Sequence, residues 1–341
     1  MGEITTIGLD LAKSVFQAHG AEASGAVAFR KKLRRDQVLA FFAGQPRCVV
    51  AMEACASAHY WAREIAALGH ETRLIPPAYV KPFVKRQKND MADAEAICEA
   101  AQRPTMRFVG AKSAEAQGAA VVFRTRDLLV RQRTQLINAL RGHLGEFGYV
   151  VRQGAGHVAK LVDLVADPAS DLPAEARPVL AVIAETLQSV QAKVAVLDQE
   201  IAARAKANPV AKRLMTIPGI GPVVATALVA IAPPASTFRR GRDFAAWLGL
   251  TPKQHSSGGK ERLGRTSKMG ERSLRRLLII GASSAAKTAA RGSTRASPWL
   301  TGMLARKPRM LVTVALANKM ARIAWALMAH GGSYRAPAMA A

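Results

Sequence analysis

The chain has 341 residues, half of them hydrophobic by type, which is enough for two domains with separate cores and excludes a disordered polypeptide. Its formal net charge of +25 is uneven: from Ala211 onward 22 Lys and Arg stand against Asp243, Glu261 and Glu271, whereas Met1 to Val210 holds 27 basic and 21 acidic residues. That asymmetry points to a polyanionic partner, nucleic acid before a membrane surface. No uninterrupted apolar run approaches the roughly 18 residues of a spanning helix, and no basic-then-apolar leader opens the chain, so a soluble cytoplasmic protein without a membrane partner is expected.

Ile4 to Asp10 reads as a first strand, short, rich in β-branched residues and ending in an acid. Val15–Ala18 and Ala26–Phe29 read as antiparallel companions across the turn-prone stretch from Gly20 to Gly25. A helix around Asp36 to Phe42 leads to Cys48-Val49-Val50-Ala51-Met52-Glu53, an apolar strand of the kind buried on both faces, again ending in an acid. Helix Tyr60–Leu68, strand Thr72–Ile75 and a helix running to about Ala101 follow. The odd cysteine count, Cys48, Cys55 and Cys98, without paired zinc-type spacing reads as reduced, buried thiols.

In Asn89-Asp90-Met91-Ala92-Asp93, the two carboxylates share a helix face. Asn89 suits an N-cap and acids suit the positive helix end, so simple capping accounts for the pair taken alone. In open α/β sheets, sites gather at the carboxyl ends of strands, where Asp10 and Glu53 fall. Four converging carboxylates repel one another unless divalent cations neutralise them, which favours Mg²⁺, with Mn²⁺ as the alternative, and allows two ions about 4 Å apart.

Ser113 opens a long helix to Leu144 whose Arg124, Arg126, Arg131, Arg133 and Arg141 form either a solvated face or one that tracks phosphates. Leu180, Ile183, Leu187, Val190, Val194, Leu197 and Ile201 make a heptad seam over three repeats, to be covered within the chain or, as we favour, by a second chain. Leu214 to Pro222 resembles a helix-hairpin-helix in which Gly219 and Gly221 let backbone N–H groups approach a phosphate; a plain αα-turn is the alternative. Ser256-Ser257-Gly258-Gly259, bracketed by Lys253, Lys260, Arg262 and Arg265, reads as a mobile loop near phosphates or a flexible connector. A helix bearing Arg272, Arg275 and Arg276 and a last amphipathic helix over Leu311–Met328 complete the chain; a disordered tail is expected from Gly331.

This order of features resembles the DEDD transposases of the insertion-sequence-110 family, which includes Piv-type DNA invertases. The resemblance rests on Ile7-Gly8-Leu9-Asp10, Met52-Glu53-Ala54, Asn89 to Ala94, Ile217-Pro218-Gly219-Ile220-Gly221, Gly249-Leu250-Thr251-Pro252 with Ser257-Gly258, and Ser267-Lys268-Met269-Gly270. The extended Gln254 to Lys260 is most similar to the insertion-sequence-1111 branch. The resemblance implies a RuvC-like, RNase H-type mixed α/β domain over residues 1–150 and a coiled-coil segment over 174–208. It further implies a mainly helical transposase domain with a helix-hairpin-helix over 209–330.

Asp10, Glu53, Asp90 and Asp93 would then be the metal tetrad and Ser257 the nucleophile, with Ser256 not excluded. Partners implied are double-stranded DNA of the element ends and target, a guide (bridge) RNA from the element's noncoding flank, and further copies in a homodimer or homotetramer. The basic residues Arg124, Arg131, Lys253, Lys260, Arg262, Arg272, Arg275 and Arg276, with the backbone at Gly219 and Gly221, are the expected nucleic-acid contacts. The alternatives are a RuvC-type junction nuclease using metal-activated water and a non-catalytic nucleic-acid-binding protein.

Overall fold

Residues 3–85, 89–291 and 297–335 are described in the computed structural model, whose chain divides into two units, Met1–Gln117 and Gly118–Ala341. In the first, strands β1 (Ile4–Asp10), β2 (Val15–Glu22), β3 (Val27–Arg34), β4 (Val49–Glu53) and β5 (Glu71–Ile75) form one mixed sheet in the order β3-β2-β1-β4-β5. β1 to β3 are antiparallel, and β1, β4 and β5 run parallel. Ile7, Leu9, Phe16 and Ala18 alternate onto one face, where Val38 and Phe42 of α1 (Val38–Ala43) and Trp61 and Ile65 of α2 (Ala58–Ala67) bury them. The opposite face carries Ala51 and Ile75 against Ala96, Ile97, Ala100 and Ala101 of α4 (Asp90–Ala101), with the short α3 (Pro77–Val80) beside them. β4 is therefore apolar on both faces because both are covered.

Cys48 and Cys98 are buried free thiols as expected, but Cys55 is exposed, because it lies in the turn just beyond the sheet edge. The segment after α4 is tied back to α2: the Arg63 guanidinium donates to the Lys112 carbonyl and to Gln117, both at 2.6 Å.

The second unit is mainly helical. Its helices are α5 (Ala114–Glu146, counted here from Gly118), α6 (Val158–Ala166), α7 (Ala176–Ala207), α8 (Pro209–Leu214), α9 (Pro222–Ile231), α10 (Gly241–Trp247), α11 (Arg272–Ala290), α12 (Pro298–Arg306) and α13 (Arg309–His330). A two-stranded sheet, β6 (Pro252–Gln254) with β7 (Leu263–Thr266), interrupts them. The division at Gln117 falls earlier than residue 150 because Leu140 and Leu144 of α5 are buried with Leu161, Leu180 and Leu187 of α6 and α7.

The heptad seam is largely covered by its own chain: Leu180 and Leu187 join that cluster, and Ile201 joins the larger core around α9, α11 and α13. The chain's own helices thus supply much of the cover that the heptad spacing left open to a second copy. By length and composition α7 and α13 are each long and apolar enough to cross a membrane, which a search for uninterrupted apolar runs overlooks because charged residues interrupt both. In α13, Val312, Leu316, Met320, Ala324 and Leu327 are core positions of this unit. The tail is not free where it is described: Tyr334 packs on this core and its N–H donates to Thr216 Oγ1 at 2.9 Å. Residues 336–341 lie outside the described residues.

Candidate metal centre and serine hairpin

Asp10 ends β1, and the parallel register Leu9 to Met52 puts Glu53 at the adjacent end of β4. The third component comes from α4. Asn89 caps that helix, its Oδ1 accepting from the Ala92 N–H at 2.8 Å, so the capping reading of this stretch holds and coexists with a second one. The helix lies almost on the strand: a Cβ on Gly8 would be 2.2 Å from the Ala94 carbonyl oxygen and 2.6 Å from the Cys98 nitrogen. With nothing but hydrogen on Gly8, the first turn of α4 reaches the sheet edge, and carboxylate oxygens of Asp10, Asp90 and Asp93 lie within 4.8 Å of one another.

The Asp10 carboxyl is pushed up from 3.8 to about 6, first by burial and then by the negative charges of Asp93, Asp90 and Glu53, against a lowering hydrogen bond from the Leu11 backbone. Glu53 is thus close enough to act on Asp10, although its carboxylate is not one of the three that converge. An all-oxygen donor set whose charges repel suits a hard divalent cation. Gln17, directly across from Asp10 in the antiparallel register and only 6% exposed, borders this site. Sequence reasoning did not single it out. A strand-interior glycine such as Gly8 was the available signal for the close helix.

The serine stretch forms the tip of a hairpin. Lys260 N–H donates to the Ser257 carbonyl at 3.1 Å, with Gly258 at φ +56 and Gly259 at φ +76, the consecutive left-handed pair of a two-residue hairpin turn. The two serines differ: Ser256 Oγ accepts from the Arg262 N–H at 3.0 Å, whereas the Ser257 hydroxyl has no such bond among the described residues. At the hairpin base two distant sequence motifs meet. The Lys268 N–H donates to the Gly249 carbonyl at 3.1 Å, and the Arg275 guanidinium donates to the carbonyls of Leu248 at 2.9 Å and Met269 at 3.0 Å.

The expected nucleic-acid contacts divide accordingly. Lys253, Lys260, Arg262, Arg272 and Arg124 are exposed. Arg275 is half-buried and engaged with those carbonyls, while Arg131 and Arg276 share Asp127 as an ion-pair partner. Gly221 is exposed and caps α9. Gly219 instead faces α11, where a Cβ would meet the Gly281 carbonyl oxygen at 2.6 Å, so its lack of a side chain is used in packing.

Two family models match the chain. The DEDD transposase model of the IS110 group covers residues 7–148, and the model described as Transposase IS116/IS110/IS902 family covers residues 211–296. A "Probable family 20 transposase" of Pseudomonas aeruginosa is 50% identical over 334 residues, spanning 97% of this chain and 99% of that protein. The transposase for insertion sequence element IS1328 of Yersinia enterocolitica is 38% identical over 331 residues, spanning 97% and 98% of the two chains. The IS1111A transposase of Coxiella burnetii is 38% identical over 336 residues, spanning 98% and 92%.

Proposed function

Since the chain belongs to the IS110 family of DEDD transposases, DNA-cleaving and recombining enzymes, we propose that it cuts and rejoins the ends of an insertion sequence through a covalent phosphoserine linkage at Ser257. The observation that carries this reading is the convergence of Asp10, Asp90 and Asp93 at the end of β1. With Glu53 on the neighbouring strand, these residues would hold divalent metal, Mg²⁺ by the hardness of the donors. Metal bound there supplies charge neutralisation and polarisation of a phosphoryl oxygen.

Ser257 attacks phosphorus through Oγ: the Oγ–P bond forms, the P–O bond to a sugar oxygen breaks, and the proton given up by the Ser257 hydroxyl is matched by the one taken up by the leaving sugar hydroxyl, so the phosphodiester is conserved for rejoining to another strand. The Ser257 hydroxyl, without a hydrogen bond among the described residues and beside an Oγ of Ser256 already engaged by the Arg262 N–H, supports this choice between neighbours. Lys253, Lys260 and Arg262 on the same hairpin offset charge on the phosphoryl oxygens. Recombination requires at least two cuts, so a dimer or tetramer is part of the proposal. A guide RNA pairing with target and donor DNA rests on the family resemblance and is compatible with the net charge of +25.

The test is a denaturing gel for a protein–DNA adduct with RNA from the element's flank supplied. The adduct is expected from the wild type and from Ser256→Ala, and its loss from Ser257→Ala with nucleic-acid binding retained. Adduct from both serine variants would sink the assignment. Free nicked product that depends on Asp10 but not on Ser257 would instead identify a junction nuclease.

A further inference from the structure

A second feature of the first unit lies at the end of the sheet where β1 finishes, on the α1 and α2 side rather than the α4 side that carries Asp90 and Asp93. A cleft of about 680 Å³ lies between the β1–β2 turn and the start of α2, lined among others by Lys13, Arg34, Arg35, Asp36, Tyr60 and Trp61. Both walls lead away from acids of the candidate metal centre: Lys13 follows Asp10 by three residues, and α2 is the helix after Glu53. The volume falls in the range of small-ligand sites, about 300–1,000 Å³.

Its chemistry is specific. Tyr60 is 43% exposed, and an exposed aromatic ring offers a face for a flat ligand. Trp61 is only 3% exposed, yet its indole N–H has no hydrogen-bond partner among the described residues, and a buried donor of this kind ordinarily has one. The Arg35 guanidinium lies 5.2 Å from the centre of the Trp61 ring, held also by a bond to the Lys13 carbonyl at 3.4 Å. Arg34 faces Asp36 at 3.5 Å with both side chains about 70% exposed, a contact weak enough for an incoming anion to replace. Three cations therefore stand against one carboxylate around an exposed ring and an unpaired donor.

From this arrangement we infer that the cleft takes an unpaired nucleotide of the DNA strand that enters the carboxylate site. Lys13 and Arg34 hold its phosphate, Tyr60 stacks on its base, and Trp61 Nε1–H donates to an acceptor on the same nucleotide. The inference rests on the proposed DNA-cutting role of the acids at this end of the sheet. It adds that the strand is read there with one base out of the duplex stack.

The experiment uses the full chain carrying Ser257→Ala, without divalent metal, and a DNA duplex with one unpaired 2-aminopurine. Stacking quenches that fluorophore. Quenching on binding is expected, with loss in Tyr60→Ala, retention in Tyr60→Phe, and an affinity drop in Tyr60→Ala between about 5-fold and about 150-fold. Equal quenching by Tyr60→Ala, or equal affinity of Tyr60→Ala and the parent for the unpaired and the fully paired probe, overturns the proposal. Quenching of an RNA oligonucleotide and not of the DNA overturns the assignment to the DNA strand. Because no adduct can form at Ser257 in this chain, failure of the quenching and failure of the phosphoserine chemistry are read separately.

Discussion

Gly8 of β1 lies beneath Ala94 of α4 so closely that a Cβ on the glycine would come within 2.2 Å of the Ala94 carbonyl oxygen. The neighbour is helix backbone, which can yield only by moving the helix. Since α4 carries Asp90 and Asp93 in its first turn, the strand–helix distance at Gly8 sets how near those acids come to Asp10. Gly8→Ala is therefore expected to destabilise the chain by about 1–3 kcal/mol, the usual range for overpacking, and to weaken divalent-metal binding as well. Denaturant unfolding with and without Mg²⁺ or Mn²⁺ measures both; an unchanged metal-dependent stabilisation in the variant would contradict the link.

The raised Asp10 carboxyl predicts a pH dependence with a definite sign. Its folded value of about 6 exceeds the ordinary 3.8, so the folded metal-free chain holds this proton more tightly than the unfolded chain does. The contribution of Asp10 to stability is then present below about pH 4 and is lost as pH rises through about 6. Comparing the wild type with Asp10→Asn in chelator across pH 4 to 7 isolates it, and parallel stability curves for the two would refute it. With metal present the proton competes, and apparent affinity is expected to fall about tenfold per pH unit below 6 if one proton is displaced.

The arginines on α11 should separate by role. Arg275 donates to two backbone carbonyls at the hairpin base, so Arg275→Ala should lower thermal stability and adduct yield together. Arg272 is exposed. Arg272→Ala should leave the melting temperature alone, weaken DNA binding across sequences and lower the salt slope of the affinity by about 1.

The hairpin turn makes a further demand. Positive φ at both Gly258 and Gly259 fits Asn-Gly as well as Gly-Gly. Gly258→Asn should retain adduct formation, and Gly259→Val should abolish most of it, because β-branched residues are outliers at positive φ. Equal adduct yields from the two variants would show that the turn geometry is not what presents Ser257.

Much of the first unit was legible because its signals are local. Alternating Ile7, Leu9, Phe16 and Ala18 fix which strand face is buried, Asn89 announces the start of α4, and strand-end acids mark the sheet edge. What could not be read was where helices find their cover. The seam from Leu180 to Ile201 has the same heptad spacing whether its partner is α6, α9 or a second chain, and only packing decided that Leu180 and Ile201 are buried in the chain's own cores. Exposed Cys55 and the docked Tyr334 escaped for a related reason: hydrophobicity and tail position say nothing of which neighbour is within reach.

The serine hairpin shows the division most clearly. Residue types alone placed two serines and two glycines among lysines and arginines, a composition shared by flexible connectors and phosphate loops. The backbone bond between Ser257 and Lys260, the engagement of the Ser256 hydroxyl by Arg262 and the clasp at Gly249 and Lys268 come from pairings across the chain. By itself the sequence determined the family and the order of elements and singled out the acids as candidates, because periodicity, capping and motif order are written in neighbouring residues. Only the tertiary structure decided that Gly8 lets α4 settle against β1, so that Asp90 and Asp93 meet Asp10, because distances between elements depend on the volume of side chains remote in sequence.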